Sequence, residues 1–376
     1  MSTDLTNPRS VEMPSDAPDG VPSGAKRGLS QDSEDTPRSD PAKRLRAWGS
    51  SNGDGRERRH ADYTVGWICA LHIELAASRA MLDREHGGLL KVANDPNEYV
   101  LGNIGAHNVV MACLPSGQYG TNNAAIVASN MRSSFPSIRV GFMVGIGGGA
   151  PSDGFDIRLG DVVVGTTVIQ YDLGKILSGE RVQRTATPRV APHDLLIAIN
   201  KLRALHESMP SEVTTILQHM LDRHPKMATE YAYPIQCEDR LFCATYDHAQ
   251  LAHCNHCDSS KVQPRPLRES NNPHIHYGGV ASGNQVVKDG KTRDRLAKEL
   301  GVICFEMEAA GLVDQFPCMI VRGICDYADS HKNKQWQRYA AATAAAYAKE
   351  LLSTMAPSKI EAMPTADAPE TITDDS

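Results

Sequence analysis

From Tyr63 onward the chain alternates between short apolar runs and segments with helical spacing. Residues 63–71 are a β-branched and aromatic run, the pattern of a strand, and 74–85 follow with Leu75, Ser78, Met81 and Leu82 at helical intervals. Residues 99–104 and 107–114 predict two strands joined by a hairpin turn at Gly105 and Ala106. Thr121 and Asn122 mark the start of a helix over 122–134. A buried strand is expected over 140–146, running into Gly147, Gly148 and Gly149, and another over 161–170. Residues 195–207 and 213–223 predict helices, 276–282 a strand and 292–300 a helix. Residues 337–352 are Ala-rich and predict a closing helix of high propensity. Strands alternating with helices predict an α/β fold with helices on both faces of a sheet. Only from about 226 to 274 does periodicity give way to Cys, His, Pro and charge, the look of an insert.

The stretch 302–329, VICFEMEAAGLVDQFPCMIVRGICDYAD, gathers the most chemistry. Two apolar runs, 302–305 and 318–324, flank a short helix expected over 309–316, and each run ends in acids. Glu306 and Glu308 follow the first run; Asp326 and Asp329 follow the second. In an open α/β sheet, ligands bind beyond the carboxyl ends of the strands, so these acids fall where a site forms. The plainer reading is that each caps a following helix, since acids suit helix N-termini.

Composition bounds the rest. The 376 residues, 41% hydrophobic, suffice for one sizeable core, and the net charge of −6 speaks against a nucleic-acid partner. No apolar run is long enough for a membrane span or a signal core. The nine cysteines lie mostly within apolar runs, which with no signal peptide implies a reducing compartment and a cytoplasmic protein. Residues 1 to about 60 and 357–376 hold few aliphatics and are expected to be disordered, leaving one domain over 61–356. Lys43, Arg44 and Arg46 are compatible with nuclear import, or with a solvated basic tail.

Four constellations are candidates for function. The glycines at 145 and 147–149, directly after a strand, allow close approach to a ligand or a tight turn, and match neither a dinucleotide nor a P-loop fingerprint. Glu74, just past the first strand, is a helix-start acid or a general base for water. Glu306, Glu308 and Asp326 offer a carboxylate fork for vicinal hydroxyls and an acid for a leaving group, the pair that glycosidic cleavage requires. In the insert, Cys254 and Cys257 have half the spacing of a structural zinc site, with Cys237 and Cys243, or His248 and His253, as partners. A purely structural insert is the default, and no cofactor is expected.

In this order the pieces resemble the purine nucleoside phosphorylase and uridine phosphorylase superfamily, especially its methylthioadenosine/S-adenosylhomocysteine nucleosidase branch and the nucleoside-phosphorylase-like domains of filamentous fungi. The likeness rests on GWICALHIELAA at 66–77, VGIGGGAPSDGFDIRLGDVVVG at 144–165, ASGNQVVKDG at 281–290 and the acid-bearing pair at 305–329. It implies a three-layer α/β/α sandwich around a mixed, partly barrel-like sheet, and assembly as a homo-oligomer. By position it implies that Glu74 activates water, Asp326 protonates N7 of a purine, and Glu308 and Met307 hold the ribose. Gln285, Val286 and Val287 fall at the base site, and Gly147 and Gly148 line the same cavity through their backbone.

Two departures matter. Where hexameric phosphorylases of the family place an Arg and a Ser on phosphate, this chain has Met143 and Ile146. A phosphate dianion there loses charge-assisted hydrogen bonds of roughly 1.5–3 kcal/mol each, which favours water as nucleophile. Val286 stands where an aromatic often stacks on the base. The expected activity is hydrolysis of a purine nucleoside, adenosine or a relative, to base and ribose. The rivals are a phosphorylase drawing on Thr121, Asn122 or Arg158, and a silent nucleoside-binding module. His72, Tyr171 and Asp172 are candidates for the 5′ end of the substrate.

Overall fold

The computed structural model describes residues 57–178, 182–248, 254–315 and 317–366. The first apolar run becomes β1 (Val65–Cys69), buried at every position, and turns at once into α1 (His72–Ala80). The helix ends earlier than its periodicity suggests, because β2 (Arg84–Glu85) leaves it as a short edge strand. The hairpin forms as expected from β3 (Tyr99–Ile104) and β4 (His107–Cys113), with Gly105 at a φ of 55° in the left-handed region. Next come α2 (Thr121–Ser134), β5 (Val140–Gly149) and β6 (Val162–Gln170). Three short strands, β7 (Gly174–Ile176), β8 (Val182–Arg184) and β9 (Arg189–Val190), lead to α3 (His193–His206) and α4 (Val213–Arg223). A further helix, α5 (Pro225–Tyr231), opens the aperiodic region, with proline in its first turn where no N–H is needed. Then follow β10 (Ile275–Ser282), α6 (Gly290–Leu300), β11 (Val302–Glu306), α7 (Ala309–Val313) and β12 (Cys318–Asp326). The ordered chain closes with α8 (Gln337–Ser353) and α9 (Pro357–Ala362).

The main sheet runs β11-β10-β6-β12-β5-β1-β4-β3-β2, and β11 pairs again with β5. That second pairing is antiparallel, Cys304 with Gly149 and Phe305 with Gly148, and it closes β5, β12, β6, β10 and β11 into a five-stranded ring. Strands β1, β4, β3 and β2 extend from β5 as an open wing. The expected α/β fold with a mixed, partly barrel-like sheet is therefore the one observed. Successive strand residues point to opposite faces. Trp67, Phe142 and Val144 enter one apolar cluster with α8, while Ile68 and Met143 enter a second with Val127 and Met131 of α2.

Helix α8 is buried from Ala340 to Ala348, so its alanines serve close packing as much as propensity. A Cβ on Gly323 would collide with the Ala340 carbonyl, so the helix lies directly on β12. This fixes the strand that ends in Asp326. Parallel pairing of β12 with β5 runs from Cys318 opposite Gly141 to Asp326 opposite Gly148.

The tail departs from expectation. Residues 357–366 are ordered: Ile360 and Met363 are buried, Arg139 donates to the Met363 carbonyl, and Ala366 N donates to Ile138 O at 2.9 Å. The polar composition of the segment masks these two apolar anchors. Residues 1–56 and 367–376, including the basic cluster at 43–46, lie outside the described residues. Among the described residues no helix is long and apolar enough to cross a membrane.

Candidate active site

Three free backbone N–H groups organise the first carboxylate. Glu74 sits in the first turn of α1, where amides lack helical partners. Its Oε2 accepts from Ala70 N and Leu71 N, both at 2.8 Å, and its Oε1 accepts from Ile146 N at 2.9 Å. The helix-cap reading and the functional reading of Glu74 are thus both met by one side chain. Only 2% exposed, it is raised from the ordinary glutamate range by burial, against the pull of Arg322 and of these N–H groups.

Arg322 was not anticipated from the sequence. It lies in the middle of β12 with no exposure, its Nη2 donating to Glu306 and lying 3.4 Å from Glu308 Oε2. Glu306 is saturated, for it also accepts from Glu308 N at 3.1 Å and Ala309 N at 3.0 Å. The expectation that Glu306 and Glu308 act together on a substrate is corrected by this geometry. Glu306 anchors Arg322 and caps α7, which leaves Glu308 as the carboxylate for a ligand. A Cβ on Gly145 would strike both the Arg322 guanidinium and Glu74 Oε1, so the first glycine of the loop makes room for this charged pair.

One guanidinium thus serves three carboxylates, Glu74, Glu306 and Glu308. Burial above all, with Glu306 and Glu74 adding to it, outweighs Arg322 and pushes the Glu308 carboxyl up to about 7. Met307 is half-buried beside it.

Asp326 is 4% exposed and tightly held. Its Oδ1 accepts from Ala328 N at 2.9 Å, and its Oδ2 pairs with Lys332 Nζ at 2.9 Å. Ala328 takes a φ of 50°, an uncommon conformation for a residue with a Cβ, in the turn that aims this carboxylate. A Cβ on Gly148 would come within 2.8 Å of Asp326 Oδ1, so this glycine too yields space to an acid. Burial disfavours the Lys332 charge, but Asp326 outweighs it and holds the ammonium above the ordinary lysine range. Asp329 instead turns to Arg293, 3.6 Å away, and accepts from His331 N.

A cavity of about 580 Å³ is lined by Glu74, Glu308, Met307, Gly147, Gly148, Gln285, Val286 and Val287. Asp326 opens instead into an adjoining cavity of about 370 Å³, and Cys325 lines both. His72 lines the larger cavity, whereas Tyr171 and Asp172 hold the neighbouring loop, through the Gln285 carbonyl and Asn284 N respectively. Thr121 bonds Asn284 and Arg158 pairs with Asp156, so neither they nor Asn122 line the cavity. Lys288, Lys332, Lys334 and Arg338 do line it, a set of cations that the sequence reading passed over. Among the described residues Cys237 and Cys243 do not join Cys254 and Cys257; the group that assembles is His248, Cys254 and Cys257, and His253 lies outside the described residues. The four-cysteine set is therefore corrected.

Residues 64–354 match the phosphorylase superfamily. A nucleotide-binding leucine-rich repeat (NLR)-like protein of Hyaloscypha variabilis is 47% identical over 307 residues, 80% of this chain and 30% of that protein. The chain thus spans less than a third of that relative. A 5′-methylthioadenosine/S-adenosylhomocysteine nucleosidase of Mycobacterium bovis is 25% identical over 77% of this chain and 95% of its own length. The fold is shared with the corresponding nucleosidase of Neisseria meningitidis, solved with methylthio-immucillin-A, at a TM-score of 0.51 and 17% identity, covering 78% of this chain and 99% of that one.

Proposed function

The chain belongs to the phosphorylase superfamily, and from that premise we propose that it is a nucleosidase that hydrolyses the N-glycosidic bond of a purine nucleoside, adenosine foremost. Water adds at the anomeric carbon, the base leaves with a proton, and ribose is released. The observation that carries this reading is the gathering of Glu74, Glu308 and Asp326 at two adjoining cavities, Glu74 and Glu308 lining the larger and Asp326 the smaller. The name of the mycobacterial relative supports nucleosidase chemistry of this kind.

In this account Glu74 takes a proton from water. A carboxylate raised towards neutrality is a stronger base than a free one and suits that task. Glu308 accepts hydrogen bonds from the ribose hydroxyls, and Met307 packs on the sugar. Asp326 delivers the proton to the base: as the substrate enters, its ion pair with Lys332 opens, the carboxylate takes up a proton from solvent, and that proton passes to the leaving base. Gln285, Val286 and Val287 form the edge against which the base lies.

The observation favouring phosphorolysis is the cationic lining, Lys288 and Lys334 above all, since Lys332 is engaged by Asp326 and Arg338 by Glu230. Against it, Glu74 already occupies the Ile146 N–H of the glycine loop and would repel an anion there. Incubation with adenosine, with and without phosphate, separates the two. Equal adenine release in both, with free ribose, is the expected result. Release only with phosphate, as ribose 1-phosphate, identifies a phosphorylase; tight binding with no release identifies a binding module.

A further inference from the structure

Beside the smaller cavity, the insert brings together three side chains that the proposed reaction does not use. Cys254 and Cys257 lie at the ends of a 3₁₀ turn, in which residues three apart fall on one side. With His248 they place one imidazole nitrogen and two sulfurs within 4.8 Å of one another. Both cysteines are free.

A second observation comes from the other wall. His331 is 7% exposed; neither of its ring nitrogens has a hydrogen-bond partner among the described residues, and Nδ1 lies 3.9 Å from Asp329 Oδ1. Buried imidazole nitrogens without a hydrogen bond are costly, and Nε2 has no polar partner of either kind among the described residues. The ring is held by stacking on Phe242, 4.0 Å between centroids, and it meets His248 edge to face at 5.3 Å. Two imidazoles on one tetrahedral zinc, with Zn–N bonds of about 2.0–2.1 Å, have centroids roughly 5 Å apart. The two chain segments already touch, through Cys254 Sγ to His331 O at 3.8 Å and His248 N to Ser330 Oγ at 2.9 Å.

We propose that His248, Cys254 and Cys257 bind a structural Zn²⁺ and that His331, which lies outside their 4.8 Å group, closes on the ion as the fourth ligand, clipping the insert to the loop following Asp326. Two thiolates and two imidazoles form a closed set of protein ligands, which suits zinc in a structural rather than a catalytic role. Binding releases the two thiol protons, and no electron transfer is involved. Because His331 directly precedes Lys332, the clip holds in place the partner of Asp326.

The test uses the full chain, with its affinity tag removed, under reducing conditions. Metal analysis after addition of Zn²⁺ and extensive dialysis is expected to give about one zinc per chain. Co²⁺ in its place is expected to show thiolate-to-cobalt absorption and the strong visible bands of a tetrahedral site. Cys254→Ser and Cys257→Ser are expected to abolish that absorption. His331→Phe, which can keep the stack on Phe242, is expected to weaken zinc binding roughly tenfold or more. Failure of the unmodified protein to retain zinc, or to give the cobalt spectrum, overturns the site without recourse to any variant. Unchanged zinc affinity in a soluble His331→Phe protein overturns the fourth ligand.

Discussion

Glu308 makes the pH behaviour of the cluster testable. Its carboxyl is raised by burial first and by Glu306 and Glu74 next, so the folded protein keeps its proton after an unfolded chain has lost it. The sign follows from linkage. The stability contribution is fully present below the free glutamate value of 4.5 and is lost as pH rises through about 7. The size is on the order of 3 kcal/mol at most, at 1.36 kcal/mol for each pH unit of the interval. Glu308→Gln is neutral at every pH and does not suffer this loss. Its Tm relative to the unmodified protein is therefore expected to rise between about pH 5 and pH 8, and parallel Tm profiles would contradict the assignment. At this scale the strand-end acids were legible, because acids after an apolar run have few places to go. Arg322 escapes the pattern, since CMIVRGIC reads as an apolar run. The signal was there: a cation inside a buried strand must find carboxylates, and unpaired acids stood at the end of the neighbouring apolar run. Lys332 gave no such signal, because its pairing with Asp326 depends on the turn through Ala328.

Among the elements, the helices and strands with clear periodicity formed close to where the pattern put them. The ends differ for local reasons. Helix α6 starts at Gly290, where Asp289 accepts from Thr292 N at 2.7 Å, and stops at Gly301 in the left-handed region. Helix α9 was hidden because two buried apolar residues among polar ones carry no periodicity. Its packing predicts that Ile360→Ala costs about 2–4 kcal/mol, the usual range for truncating a buried isoleucine. A fall in Tm on the order of 5–10 °C is expected by thermal denaturation, and an unchanged Tm would show that the tail does not pack as described.

For the whole molecule, alternation of strands and helices predicted an α/β sheet, while closure of the sheet came only with the family resemblance. The closing contact joins Gly148 and Gly149 to Cys304 and Phe305, an antiparallel pair so distant in sequence that no local pattern reports it. Yet that closure brings the glycine loop, Glu306, Glu308 and Asp326 to one place, so the site depends on the ring. The claim resting on it is that Asp326 and Glu74 divide acid and base work in a hydrolytic reaction. The most direct test is the rate of adenine release from adenosine in phosphate-free buffer for the unmodified protein, Asp326→Asn and Glu74→Gln. Each variant is expected to fold and to lose roughly 10²–10⁴-fold in turnover, the usual contribution of a positioned acid or base. An Asp326→Asn protein turning over at the unmodified rate would contradict the account at its centre.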